Sequence, residues 1–290
     1  MQQLRFGVNI STSAAADSDP VGDAKSAEAL GFDFVSASDH PSGSHPSYET
    51  WTMLTWIAAA TGRIGVASRV LSLPFRSPAL VAKMAESLDR ISAGRLILGL
   101  GAGATDNELH AFGLPVPSPG EKIDGLIDGL EIINGLWSKP AYTYRGKVHS
   151  TDAAEMEPKP THRIPIWLGT FGKRALAVTG RYADGWIPSL GYAPLDQLPV
   201  MRDRVLAAAE AANRGPEEIT CALNVEIAVG RDDHLAHDVI AGGPETVAAR
   251  LLELVALGFT AFNFMPLGER PDEQIEQLAR EVIPDVRALA

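Results

Sequence analysis

SPALVAKMAESLDRISAGRLILGLGAGA, residues 77–104, holds one complete unit of the fold. Ser77 is placed to cap a helix, and Pro78 suits its first position, where no backbone N–H is needed. Leu80, Val81, Met84, Leu88 and Ile91 recur at three- and four-residue spacing, the signature of one helical face. Gly94 supplies the stop. RLILGLGA at 95–102 then reads as a strand, with glycines at its end. A helix feeding a strand in this way belongs to a parallel α/β sheet.

The same order repeats outward in both directions. Candidate strands are 4–10, 32–38, 63–73, 95–102, 165–170, 184–189, 218–229 and 259–265. Candidate helices lie near 20–30, 51–60, 77–92, 120–137, 172–182, 194–213, 243–257 and 271–288. EALGFDFVSAS at 28–38 and VALGFTAFNFM at 255–265 share one sequence of events: helix end, glycine, aromatic, strand. Eight alternating units predict a closed (β/α)₈ TIM barrel, with 1–290 as one domain. Residues 138–164 break the rhythm. Their prolines and the aromatic and β-branched residues around Arg145-Gly146 predict a hairpin and loop inserted between the fourth and fifth units.

Charge and composition narrow the function. The formal net charge is −11, which argues against a general nucleic-acid or anionic-membrane binder. One cysteine, Cys221, cannot form an internal disulfide and fits a reducing cytoplasm. MQQLRFGVN has no signal-peptide core, and no apolar run approaches the ~18 residues that a membrane span requires.

The motifs are weighed by their surroundings. Gly99, Gly101 and Ala104 match G-x-G-x-x-A, but Asp124 and Asp128 sit on a helical pattern, where the dinucleotide fingerprint needs an acid at a strand end. These glycines read better as a sharp turn at a barrel rim or an approach to a flat ligand. There is no Walker loop and no G-x-S-x-G elbow. His234 and His237, beside Asp232 and Asp233, read as a solvated helix start, and no metal site is expected.

Asp39-His40 follows the second strand, where a barrel's catalytic loops begin, and histidine is the usual general acid/base near neutrality. Glu108 follows the glycine turn of the fourth strand and reads equally as a ring-contacting carboxylate or a helix-start glutamate. Gly169, Thr170, Phe171 and Gly172 close the fifth strand and open a helix whose N–H groups suit an anion, with Lys173 and Arg174 nearby. Arg181 and Asp184 read as a pair in the next connection. Trp51, Trp56 and Phe112 are candidates for an apolar pocket or for core.

LPFRSPALVAKMAESLDRISAGRLILGLGAG, NELHAFGLP and PIWLGTFGKRALAVTGRYADGW together resemble the bacterial luciferase-like monooxygenase superfamily. They are most similar to its deazaflavin branch, which uses coenzyme F420. The resemblance implies a flavin-like ring at the C-terminal face of the barrel, against a bulge with a non-prolyl cis peptide that matches Arg69-Val70. It implies His40 and Glu108 as the catalytic pair, and Asp39, Arg69, Val70, Gly101, Gly169, Thr170, Phe171, Gly172 and Ser189 around the cofactor. Tyr192 departs from the pattern, because relatives that grip the phosphate strongly put a lysine there.

The expected activity is hydride transfer between coenzyme F420 and a small organic substrate. A monooxygenase using FMN and O₂ is the alternative, and a non-catalytic cofactor carrier is an alternative of another class. The resemblance also implies a homodimer, with the helices near 51–60 and 77–92 as its contact surface.

Overall fold

The computed structural model describes residues 3–230, 238–268 and 270–290. His234 and His237, with Asp232 and Asp233, lie outside the described residues. The strands are β1 (Arg5–Asn9), β2 (Phe34–Ala37), β3 (Gly65–Ser68), β4 (Leu71–Ser72), β5 (Leu96–Gly101), β6 (Ala141–Arg145), β7 (Ser150–Glu155), β8 (Ile166–Leu168), β9 (Gly185–Trp186), β10 (Thr220–Val229), β11 (Val239–Gly242) and β12 (Ala261–Pro266). The helices are α1 (Pro20–Leu30), α2 (Thr50–Ala60), α3 (Pro78–Ile91), α4 (Asp106–Ala111), α5 (Pro119–Ser138), α6 (Lys173–Tyr182), α7 (Leu198–Ala211), α8 (Pro244–Ala256), α9 (Pro271–Gln277) and α10 (Ile283–Leu289).

Parallel pairing runs β1-β2-β3-β5-β8-β9-β10-β12 and returns to β1, closing an eight-strand barrel. β4 continues the β3 segment and pairs with β5. The two are separated by a cis peptide between Arg69 and Val70, as the resemblance implied. β6 and β7 form the antiparallel hairpin expected in 138–164. Buried Asp128 on α5 anchors it, accepting from the Val148 and His149 N–H groups at 2.7 and 3.0 Å. Gly31 and Gly258, the echoed glycines, both take left-handed φ, +90° and +88°. Only glycine adopts that conformation without a side-chain clash.

Several details differ from the expectation, among them α4 and β11, which are additional elements. Ser77 is the N-cap of α3 but makes no side-chain cap bond. The inward face of α3 is Val81, Ala82, Ala85 and Leu88, while Leu80 and Ile91 are 54% and 62% exposed. The single helix expected at 271–288 is instead α9 and α10 joined by a π turn over Leu278–Val282. Pro284, lacking a backbone N–H, explains why the regular ladder fails there.

The barrel is filled in layers. Phe34, Ala67, Ile97, Trp167, Ile187, Ala222 and Ala261 form an apolar plug inside it. The Phe34 and Trp167 rings meet edge to face at 5.7 Å. Gly7 makes room for this, since a Cβ there would stand 2.3 Å from the Phe34 ring. Toward the C-terminal ends of the strands comes a polar belt. Ser36 Oγ donates to Asn263 Oδ1 at 2.9 Å, and Asn263 Nδ2 donates to Asn224 Oδ1 at 2.8 Å. Asn224 Nδ2 then reaches Ser189 Oγ at 3.3 Å. The larger apolar core lies between the barrel and its helices.

Candidate active site

A cavity of about 570 Å³ opens at the C-terminal ends of the strands. Asp39, Arg69, Gly101, Gly169 and Ser189 come from the ends of five different strands and all line it. His40, Val70, Thr170, Phe171 and Gly172 line it too. The sequence reading expected this convergence on one face.

Glu108 reaches the site through His40. α4 is a short helix that the sequence reading did not delimit, and it carries Glu108 in its first turn. His40 Nδ1 and Glu108 Oε1 are 2.8 Å apart. The histidine side chain is 57% exposed and the glutamate 11%. Glu108 Oε2 is buried without a hydrogen-bond partner among the described residues. The pair thus joins a buried carboxylate to a ring that faces the cavity. When Nδ1 carries the hydrogen it donates to Glu108, and Nε2 is left as an acceptor.

Asp39 is held rigidly. Arg76 grips both carboxylate oxygens, at 2.7 and 3.0 Å, and the Ser72 N–H donates to Oδ2 at 2.8 Å. Arg76 also donates to Glu49 Oε1 at 2.7 Å. Burial works against the charge of Arg76, yet its bonds to Asp39 and Glu49 raise its pKa above the ordinary guanidinium value. Neither Arg76 nor Ser72 was singled out from the sequence; only the position of Arg76 in the LPFRSP turn hinted at it.

The floor of the cavity is Val70, set between two glycines. A Cβ on Gly101 would stand 2.8 Å from Val70 Cγ2, and one on Gly169 would stand 3.2 Å from it. Gly99 is tighter still, with its Cβ position 1.8 Å from the Ser68 carbonyl oxygen. Gly99 and Gly101 lie within β5 and serve its close packing on Ser68 and Val70, and Asp124 and Asp128 lie on α5.

At the other wall, Gly172 is the N-cap of α6 and offers no side-chain cap, so the first N–H groups of the helix face the cavity mouth open. Ser189 Oγ accepts from Asn224, which leaves its own hydrogen to donate. The Thr170 hydroxyl is buried against Thr179 Oγ1 at 2.6 Å, which leaves its backbone to the cavity. Arg174 is drawn away to Asp124. Asp184 pairs with Arg163 at 2.5 Å rather than with Arg181, which packs over the Tyr182 ring. Tyr192 lines the mouth, 5.9 Å from the Phe171 ring.

Trp51, Trp56 and Phe112 do not line the cavity. Trp51 belongs to the core, Trp56 packs on Tyr48, and Phe112 packs on Phe75. Among the described residues no group of three or more His, Cys, Asp or Glu side chains is placed to hold a metal, and no helix is long and apolar enough to cross a membrane.

A closed (β/α)₈ barrel whose strand ends build one glycine-floored cavity beside a histidine–carboxylate pair defines a class of barrel enzymes. The chain belongs to the luciferase-like monooxygenase family, whose model matches residues 5–241. It is 29% identical over 300 residues to an F420-dependent glucose-6-phosphate dehydrogenase of Nakamurella multipartita, covering 95% of this chain and 86% of that one. Among solved structures it is similar to an F420-dependent secondary alcohol dehydrogenase in complex with an F420-acetone adduct, at TM-score 0.88 and 20% identity, covering 98% and 99% of the two chains. A coenzyme F420-dependent tetrahydromethanopterin reductase from Methanopyrus kandleri gives TM-score 0.83 at 22% identity, covering 98% and 99%.

Proposed function

We propose that this chain is an oxidoreductase that transfers a hydride between coenzyme F420 and a small organic substrate. The observation that carries this reading is the meeting, on one cavity, of the His40–Glu108 pair, the Val70 floor and the open start of α6. The relatives named for F420 support the choice of cofactor.

The residues present fit such a group. Two orphaned buried oxygens, Ser72 Oγ and Glu108 Oε2, lie at or beside the cavity and await polar partners. A flat ring fits over Val70, because Gly101 and Gly169 leave no side chain beside it. The Phe171 and Gly172 N–H groups, at the positive end of α6, would hold a phosphate, with Ser189 donating to the same group. Asp39, fixed by Arg76 and the Ser72 N–H, would present the remaining lone pair of Oδ1 to the ring edge. When bound, the deazaflavin supplies the carbon that accepts or releases the hydride. His40 Nε2 takes the substrate's hydroxyl proton, or returns it in the reverse direction, and Glu108 on Nδ1 fixes the ring and balances its charge.

The same reading takes 1–290 as one catalytic domain working in the cytoplasm as a homodimer. The exposed apolar side chains Trp56, Leu80 and Ile91 on α2 and α3 support that contact surface. Light scattering at micromolar concentration would show a dimer; a monomer would remove this part of the reading.

The test of cofactor choice is titration of the purified protein with F420 and with FMN, followed by tryptophan fluorescence. F420 should quench at micromolar concentration. Binding of FMN alone would move the protein to the flavin monooxygenase reading. F420 binding with no turnover of any substrate would leave a carrier.

A further inference from the structure

Arg69 has an unusual situation. It directly follows β3, and its side chain lines the cavity. Its Nε donates to Asn9 Oδ1 at 2.9 Å. Among the described residues, Nη1 and Nη2 have no hydrogen-bond partner, and the guanidinium forms no ion pair. Arg76 and Arg95, also half-buried, contrast with it. Arg76 is spent on Asp39 and Glu49, and Arg95 on the Ala58, Thr61, Ile64 and Ser92 carbonyls. Arg5, whose guanidinium also has no hydrogen-bond partner among the described residues, packs instead over the Phe34 and Trp167 rings. Arg69 keeps two parallel pairs of donors open to a cavity.

Its position separates it from the phosphate end. In the ring order β8-β5-β3-β2-β1, Asn9 on β1 stands four strands from β8, which is half of the eight-strand barrel. The N–H groups of Phe171 and Gly172 follow β8. The guanidinium therefore reaches from the end of β3 across β2 to Asn9, away from β8 in the strand order. The charge is also incompletely compensated. Burial lowers the pKa of Arg69 from the ordinary guanidinium value, while Glu226 and Tyr192 act in the opposite sense from a distance.

We propose that the guanidinium of Arg69 receives the carboxylate of an organic-acid substrate, on the cavity wall beside Asn9. The proposal rests on the hydride-transfer reading for what happens to that substrate. A carboxylate fits better than a phosphate on two counts. Its two oxygens match the planar fork of one guanidinium. A phosphate dianion would need more than this one cation, and Glu226 nearby adds a repelling charge. Asn9 holds the fork in place. Ser36 Oγ lies 3.5 Å from Asn9 Oδ1, so the polar belt under the cavity extends to it. A substrate bound in this way has its acid group at Arg69 and its reacting oxygen free to face His40.

The test uses butanoate, butan-1-ol and inorganic phosphate as probes, titrated calorimetrically into the protein with and without F420. The wild type should bind butanoate tenfold to a hundredfold more tightly than butan-1-ol, the range expected for hydrogen bonds to a charged group. Arg69→Gln should bring the two within about threefold, and Arg69→Lys should fall between, since it keeps the charge and loses the fork. Thermal midpoints confirm that each variant is folded. The wild-type comparison needs no variant, so a misfolded mutant does not spare the proposal. Equal binding of butanoate and butan-1-ol by the wild type would overturn it, as would a preference that survives in Arg69→Gln. With F420 bound, phosphate binding more tightly than butanoate and losing that advantage in Arg69→Gln would overturn the carboxylate assignment. Failure of F420 to bind at all would instead sink the hydride-transfer reading, because the butanoate preference is read on the protein alone as well.

Discussion

Replacing His40 by alanine separates chemistry from architecture. The side chain is 57% exposed and makes one hydrogen bond, to Glu108. Its removal therefore costs little apolar burial. It leaves the Glu108 carboxyl, whose second oxygen already lacks a partner, with no side-chain bond. The loss of that bond is worth about 1–3 kcal/mol, and water entering at the exposed His40 position reduces it. The thermal midpoint should fall by only a few degrees. F420 affinity should change little, because the ring floor and phosphate amides come from Val70, Phe171 and Gly172. Turnover should fall roughly 10²–10⁴-fold, the usual contribution of a positioned general acid/base. The assay measures midpoint, F420 dissociation constant and turnover on one preparation. A folded, F420-binding variant that keeps more than about a tenth of wild-type turnover would refute the assignment. A large fall in midpoint with near-normal specific activity would make His40 structural.

Other expectations follow from neighbouring contacts. Arg76→Ala strands buried Asp39 and should lower stability by about 3–5 kcal/mol, read by denaturant unfolding; a change under 1 kcal/mol would show that the Ser72 N–H alone holds the carboxylate. Gly101→Ala brings a methyl within 2.8 Å of Val70 Cγ2 and should weaken F420 binding more than it lowers the thermal midpoint; unchanged affinity would remove Val70 as the ring's floor. Glu28 accepts from the Gly62, Arg63 and Ile64 N–H groups at 3.0, 2.6 and 2.8 Å. Burial opposes its ionisation, but those bonds hold its pKa below the ordinary carboxylate value of 4.5. A depressed carboxylate stabilises the fold above its unfolded pKa and loses that contribution as pH falls through the folded one. Glu28→Ala should therefore lower the thermal midpoint fully at neutral pH, and the gap should close as pH falls below 4.5; a gap independent of pH would contradict this.

The barrel was legible because helix and strand periods alternate along the chain, and the glycines at 31, 94 and 258 mark where each helix must stop. The rim was legible for a related reason: residues immediately after a barrel strand fall on one face whatever their side chains. Side-chain commitments within the site were not. Thr170 turns its hydroxyl to Thr179, across nine residues, and Arg174 goes to Asp124, fifty residues away. Spacing along the chain carries no information about such partners. Leu80 and Ile91 show the complementary limit, since period alone identifies an apolar stripe but not which edge of it faces the sheet. The belt of Ser36, Asn224 and Asn263 did leave a signal, polar residues inside otherwise apolar strands, and so did Asn9 in FGVNI. That signal becomes meaningful only when closure of the barrel brings four strands to one axis.

Isotope transfer decides whether hydride passes between substrate and F420. F420-loaded protein is mixed with secondary alcohols and hydroxy acids carrying deuterium on the carbinol carbon, and reduced, deuterated F420 is mixed with the corresponding carbonyl compounds. At least one pair should exchange a single deuterium between substrate carbon and F420, seen by mass spectrometry together with loss or return of the F420 visible absorbance. Bound F420 that exchanges no deuterium in either direction across both panels would contradict the hydride-transfer reading.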